Sequence, residues 1–145
     1  MHWAQAFPVR REGKVSDSVE ALRKANEVLA KGLVLGMFPE GKRSPEGQLL
    51  SAQLGTALIA LHANAPILPV GITGAEKLKK INWLWQRPRI TINIGQPFML
   101  PRVDGRLNRK QLTLFADSVM ERIAELLPPE YRGQYGKAAR DENGN

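Results

Sequence analysis

The sequence predicts an α/β fold built on a mixed, largely parallel sheet flanked by helices, and three observations lead there. Branched apolar runs of strand length occupy residues 33–37 and 65–72, and residues 89–94 alternate between isoleucine and polar residues. Between and after them lie segments whose apolar residues recur at helical spacing, and Gly and Pro punctuate the junctions. Strands that alternate with helical patterns read as βαβ units, whose right-handed crossovers leave the strands parallel.

In chain order, Ala6-Phe7-Pro8-Val9 reads as a short strand or its end, delivering Arg10 and Arg11 to a loop with Gly13. Asp17-Ser18-Val19-Glu20 has the spacing of a capping box. Val19, Leu22, Ala25 and Leu29 then share one face until Gly32 ends the helix. Arg23, Lys24 and Lys31 read as its solvated face. Leu33-Val34-Leu35-Gly36-Met37 reads as a buried strand. Leu54 to Ala63 is apolar almost all round, as a helix packed between sheet and neighbours would be, with Ser51 as its cap. Gly55 there would admit a ligand or strand, and His62 near the helix end reads as a dipole partner or surface residue.

Residues 65–72 read as another strand, made irregular or edge-like by Pro69. The stretch from Thr73 to Pro88 mixes Lys77, Lys79, Lys80 and Arg87 with Trp83 and Trp85, a composition that suits a loop over the core or contact with a lipid interface. Ile90, Ile92 and Ile94 against Arg89, Thr91 and Asn93 mark a half-buried strand. Leu112, Phe115, Ala116, Val119, Met120, Ile123 and Leu127 place a helix over residues 111–127, stopped by Pro128-Pro129. Residues 1–136 thus read as one domain, and the polar residues 137–145 as a frayed tail.

The 145 residues are 43% hydrophobic and 24% charged, which suits a globular chain with a real core. No run approaches the roughly 20 apolar residues that span a bilayer, and the first residues lack the pattern of a signal peptide. The chain itself therefore reads as soluble or peripheral. Zero cysteines exclude disulfides and thiolate metal sites, and His2 and His62 are too far apart in sequence to suggest a metal site. A formal charge of +7 favours anionic partners such as lipid head groups or phosphorylated substrates. Nucleic acid is a minor alternative, since only 6% of residues are aromatic and several of those lie in apolar contexts.

The chemistry concentrates in Phe38-Pro39-Glu40-Gly41-Lys42-Arg43-Ser44, directly after the apolar run, where an open α/β sheet collects its ligands. Pro39 stops the ladder, Gly41 permits a positive φ, and Ser44-Pro45-Glu46-Gly47 has turn composition. Arg43 offers a planar fork for two phosphate oxygens, and Lys42 adds a mobile point charge. Free N–H groups at the start of the following helix would add to that attraction. The stretch from Gly36 to Lys42 also fits the first seven positions of a nucleotide-binding P-loop. Arg43 stands where that motif needs a hydroxyl, and Pro45 opposes the helix that must follow.

Phe-Pro-Glu-Gly-x-Arg-Ser after an apolar strand resembles the third motif of the 1-acylglycerol-3-phosphate (lysophosphatidate) acyltransferases, within the glycerolipid acyltransferases. Six of seven positions match, and Lys42 replaces the usual threonine. Arg11 matches the basic residue of the second motif, and the Pro69-Val70 segment resembles the fourth. The resemblance implies a glycerol-3-phosphate acyltransferase-like fold and an acceptor site drawn from Arg11, Glu40, Gly41, Lys42, Arg43 and Ser44. It also implies acyl transfer from acyl-CoA or acyl carrier protein to lysophosphatidate in phospholipid synthesis, without metal or cofactor, at the cytoplasmic face of the cell membrane. The family's first motif, His-x-x-x-x-Asp, supplies its general base and the aspartate that orients it. Here Phe7 and Ile67 stand where aspartate would follow His2 and His62. The chain therefore reads as the C-terminal portion of a single acyltransferase domain, inactive alone; the alternative is an inactive phosphate- or lipid-headgroup-binding remnant.

With charge as the main attraction, membrane association is expected to be weak and reversed by salt, because screening shortens to about 3 Å at 1 M. Flotation with neutral lipid vesicles in high salt would contradict this.

Overall fold

The computed structural model describes residues 15–79, 89–103 and 105–136, and the chain divides into two compact units, Met1–Gly36 and Met37–Asn145. The expected strand at residues 6–9 and the tail 137–145 lie outside the described residues, as does most of the stretch that carries Lys80, Trp83, Trp85 and Arg87.

In the first unit, helix α1 spans Val15–Ala30. It begins before Asp17, so the expected capping box falls inside the helix rather than at its start. Its end is as expected: Gly32 takes φ 71°, its N–H bonds Leu29 O at 3.0 Å, and Leu33 N–H bonds Val28 O at 3.2 Å. This pair of bonds satisfies carbonyls that the last turn leaves open. The charged face is laced by i,i+4 pairs, Arg23 with Glu27 and Lys24 with Glu20. The Lys24 ammonium bonded to Glu20 holds that carboxyl below its usual value. A solvated face is thus the correct reading of these cations.

The run 33–37 is not a strand: residues 33–38 adopt no regular structure, and Val34 is 94% exposed. A strand exists only through the ladder of a neighbour, and among the described residues no strand lies beside this one.

In the second unit, helix α2 spans Leu54–Ala63 and helix α3 spans Arg109–Glu125. They pack through small residues, Ala57 and Ala60 against Ala116 and Val119, with Leu100 completing the buried cluster. Short side chains let helix axes approach closely. Gln53, not Ser51, occupies the N-cap of α2, and its side chain makes no cap bond. Asn64 ends that helix at φ 47°. Helix α3 begins two residues earlier than its apolar pattern, because Asn108 and Gln111 form a reciprocal capping box. Gln111 N–H bonds Asn108 Oδ1 at 2.8 Å, and Asn108 N–H bonds Gln111 Oε1 at 3.0 Å.

Strands β1 (Val70–Thr73) and β2 (Thr91–Ile94) pair antiparallel, with Val70 opposite Ile94 and Ile72 opposite Ile92. The described sheet is therefore two-stranded and antiparallel, alongside helices, in a partial α/β arrangement. Ile67 and Phe98 continue the pairing as an isolated bridge beyond Pro69. The expected half-buried β2 is not found, because all four of its residues are exposed. Asn93 donates through Nδ2 to Leu126 O at 2.8 Å, and a Cβ at Gly71 would stand 2.9 Å from Leu127 Cδ2. The face with small and polar residues thus lies on the end of α3, while Ile92 and Ile94 remain exposed.

Among the described residues of this unit there are also 3-10 turns at Ala75–Lys79, Pro129–Tyr131 and Gly133–Gly136. Tyr135 of the last is buried with Met120 and Ala124, against Leu49 and Ala52. Residues near the C-terminus thereby reach the segment between the charged loop and α2.

Candidate functional site

The 38–44 loop is held by its own turn first. Gly41 N–H bonds Phe38 O at 3.0 Å, and Gly41 takes φ 67°. Pro39 has no N–H to offer, but its carbonyl accepts from Gln53 N–H at 2.7 Å. The loop is thus tied to the N-cap residue of α2, and a Cβ at Gly41 would lie 2.9 Å from Gln53 Cγ. The helix N-terminus expected beside the charged loop is there.

Glu40 does more than moderate the local charge. Its Oε2 accepts from Leu50 N–H at 2.8 Å, a charge-assisted bond that closes the excursion between loop and helix. Three further N–H groups of the 49–53 segment are held. Leu49 N–H bonds Tyr131 O at 2.8 Å, Ala52 N–H bonds Tyr135 Oη at 3.1 Å, and Gln53 N–H bonds Pro39 O. Tyr135 Oη in turn donates to Asp117 Oδ1 at 2.9 Å. Burial first, and the bond to Asp117, push the Tyr135 hydroxyl above the usual tyrosine range against the opposing effect of Ala52 N–H. It stays protonated near neutral pH and can donate and accept at once.

Lys42 and Arg43 are exposed, and among the described residues neither enters an ion pair. Ser44 is half-buried behind them. The residues 45–48 bend, with Gly47 at φ 81°. The structure therefore brings together Glu40, Gly41, Lys42, Arg43 and Ser44 on one fixed loop, with Glu40 turned to the main chain and the two cations turned to solvent. Arg11 lies outside the described residues.

His62 is exposed in the last turn of α2, the position of a surface or dipole partner. Gly55 has open space at its Cβ position. Among the described residues no group of His, Asp and Glu is arranged to hold a metal, and no helix is long and apolar enough to cross a membrane. Sequence reasoning missed Asp117, Tyr131 and Tyr135, since nothing local marks residues up to 83 positions away as holding the 49–53 segment beside the loop.

Residues 1–73, half of this chain, match the acyltransferase family profile. The chain is 31% identical over 111 residues to the 1-acyl-sn-glycerol-3-phosphate acyltransferase of Pseudomonas aeruginosa, covering 76% of this chain and 43% of that protein. It is 28% identical over 121 residues to the Bacillus subtilis protein of the same name, covering 83% and 57%. The crystal structure of PlsC, the 1-acyl-sn-glycerophosphate (LPA) acyltransferase of Thermotoga maritima, superposes with a TM-score of 0.53 at 32% identity. That match covers 74% of this chain and 46% of PlsC. The chain spans about half the length of these relatives.

Replacing Gly41 by alanine is expected to destabilise the chain by about 1–2 kcal/mol, the cost of a left-handed residue with a Cβ. Gly55→Ala, inside a helix and in open space, is expected to stabilise it by about 0.5–1 kcal/mol. Urea denaturation of both variants checks the pair; equal effects would mean that the loop conformation is not constrained.

Proposed function

Because this chain belongs to the acyltransferase family, we propose that it forms the acceptor-binding part of an enzyme that acylates lysophosphatidate in phospholipid synthesis. One observation carries the reading: a loop pinned at Pro39, Glu40 and Gly41 presents exposed Lys42 and Arg43 beside the start of α2. A glycerol phosphate meets there a guanidinium fork, an ammonium and helix N–H groups without having to order the backbone. Arg11 is the further cation assigned to the same phosphate, and Glu40, Gly41 and Ser44 belong to the same acceptor site. The acyl group comes from a thioester of coenzyme A or acyl carrier protein, and the complete enzyme works at the cytoplasmic face of the cell membrane.

In this reading the 145 residues are the C-terminal portion of one acyltransferase domain. The run 33–37 becomes a strand of a largely parallel sheet, and the exposed isoleucines of β2 become covered, when the rest of the domain is present. That the chain spans roughly half of each relative's length supports a partial domain. A second reading, phosphate or headgroup binding without turnover, is favoured by the exposed surface position of His62 and the lack of a His-x-x-x-x-Asp sequence.

Arg43→Lys keeps the charge but loses the two-pronged geometry, and is expected to weaken binding of a soluble short-chain lysophosphatidate by about 1–3 kcal/mol. Lys24→Arg on the solvated face of α1 should leave the affinity unchanged. Calorimetric titration of both variants decides, and equal affinities would remove the phosphate reading. The 145-residue chain by itself is expected to transfer no acyl group from a thioester to lysophosphatidate; turnover abolished by His62→Ala would overturn that.

A further inference from the structure

We propose that Tyr135, seated on Asp117, is a positioning residue for the acceptor loop. It fixes the main chain of residues 49–53 and through it the aim of Lys42 and Arg43. The inference rests on the phosphate reading of that loop and extends it to residues with no place in the loop's own motif.

The geometry is a relay of fixed points. Asp117 lies on α3, which packs on α2, and its Oδ1 accepts the Tyr135 proton at 2.9 Å. That bond orients the hydroxyl so that a lone pair meets Ala52 N–H, at 3.1 Å. Ala52 stands between Leu50, whose N–H holds the Glu40 carboxylate, and Gln53, whose N–H holds the Pro39 carbonyl. Both attachments of the loop therefore leave the same short stretch of backbone, and Tyr135 clamps it from the other side. The ring is only 8% exposed and packs with Met120 and Ala124, so the clamp is anchored in the core rather than on a mobile surface. Because the hydroxyl is held by a carboxylate on a helix, Ala52 has a preorganised acceptor. A bound phosphate then need not order the loop itself.

The neighbouring Tyr131 provides the contrast. Its hydroxyl also donates to a carboxylate, Glu76 Oε1 at 2.9 Å, but touches no N–H of the 49–53 segment. Its contribution to that segment is its backbone carbonyl, which accepts from Leu49 and is unaffected by side-chain replacement.

The test uses the 145-residue chain, a soluble short-chain lysophosphatidate as probe, and amide hydrogen exchange. Tyr135→Phe keeps the ring in the core and removes the hydroxyl. It is expected to weaken probe binding about three- to tenfold, the worth of one hydrogen bond. It should also accelerate exchange at Ala52 and shift the Gly41 and Lys42 amide signals. Tyr131→Phe is expected to leave all three unchanged. If Tyr135→Phe does not fold, the Asp117 pair replaces it: Asp117→Asn retains an oxygen for the tyrosine proton and should bind as the parent does, while Asp117→Leu should weaken binding. Unaltered affinity in Tyr135→Phe, with Arg43→Lys still weakened, would overturn the positioning role and leave the phosphate reading standing. Equal weakening by Tyr131→Phe would reduce the effect to general stability and also overturn it. If Arg43→Lys is itself without effect, the phosphate reading falls; unchanged Ala52 exchange and Gly41 shifts in Tyr135→Phe would then remove the clamp as well.

Discussion

The segment 49–53 must satisfy its backbone N–H groups without a helix or a strand, and the rest of the second unit is arranged around that need. An amide cut off from water without an acceptor costs up to about 1–3 kcal/mol, and the half-buried amides of Leu49, Leu50 and Ala52 each meet a fixed acceptor. Here the acceptors are a carboxylate, a tyrosine hydroxyl and two carbonyls, from Glu40, Tyr135, Tyr131 and Pro39. Two belong to the charged loop and two to the 3-10 turns after α3. The segment is therefore the knot that joins the loop to the helical core.

This arrangement divides the labour among the charges of the loop. Glu40 turns inward and fastens the loop, which leaves Lys42 and Arg43 as exposed cations on a backbone that is already ordered. Were Glu40 to pair with Arg43 instead, the guanidinium would have to leave that carboxylate before it could meet any other anion. The hydrogen bond to Leu50 N–H avoids that competition while retaining the negative charge nearby. Gly41 is required twice over, by its positive φ and by the approach of Gln53.

The sheet shows a different dependence. β1 and β2 have a small, polar face on the end of α3 and an apolar face with Ile72, Ile92 and Ile94 exposed. Gly71 and Gly95 carry no side chain where Leu126 and Leu127 pack, and this selects which face meets the helix. Alternation in the sequence specifies that two faces differ, but the choice of the covered face belongs to the elements that pack there.

Sequence alone determined what short-range physics controls. Helices α1, α2 and α3, the pairing-competent runs around residues 70 and 92, the positive φ of Gly41 and the helical stop at Gly32 all follow from local periodicity and glycine sterics. So did the content of the loop, because a proline, a glycine and two cations in succession after an apolar run are chemically distinctive wherever they fold. Tertiary structure decided the rest. The strand expected at 33–37 needs a neighbour's ladder, the antiparallel sense of β1 and β2 depends on how the chain returns, and the position of Gln53 at the N-cap of α2 goes with its backbone bond to Pro39. Most of all, the partnership of Asp117, Tyr135 and Ala52 spans 83 residues from Ala52 to Tyr135. A hydrogen bond requires only that donor and acceptor meet in space, and no local pattern in the sequence records which distant residues the packing of α2 on α3 will bring together.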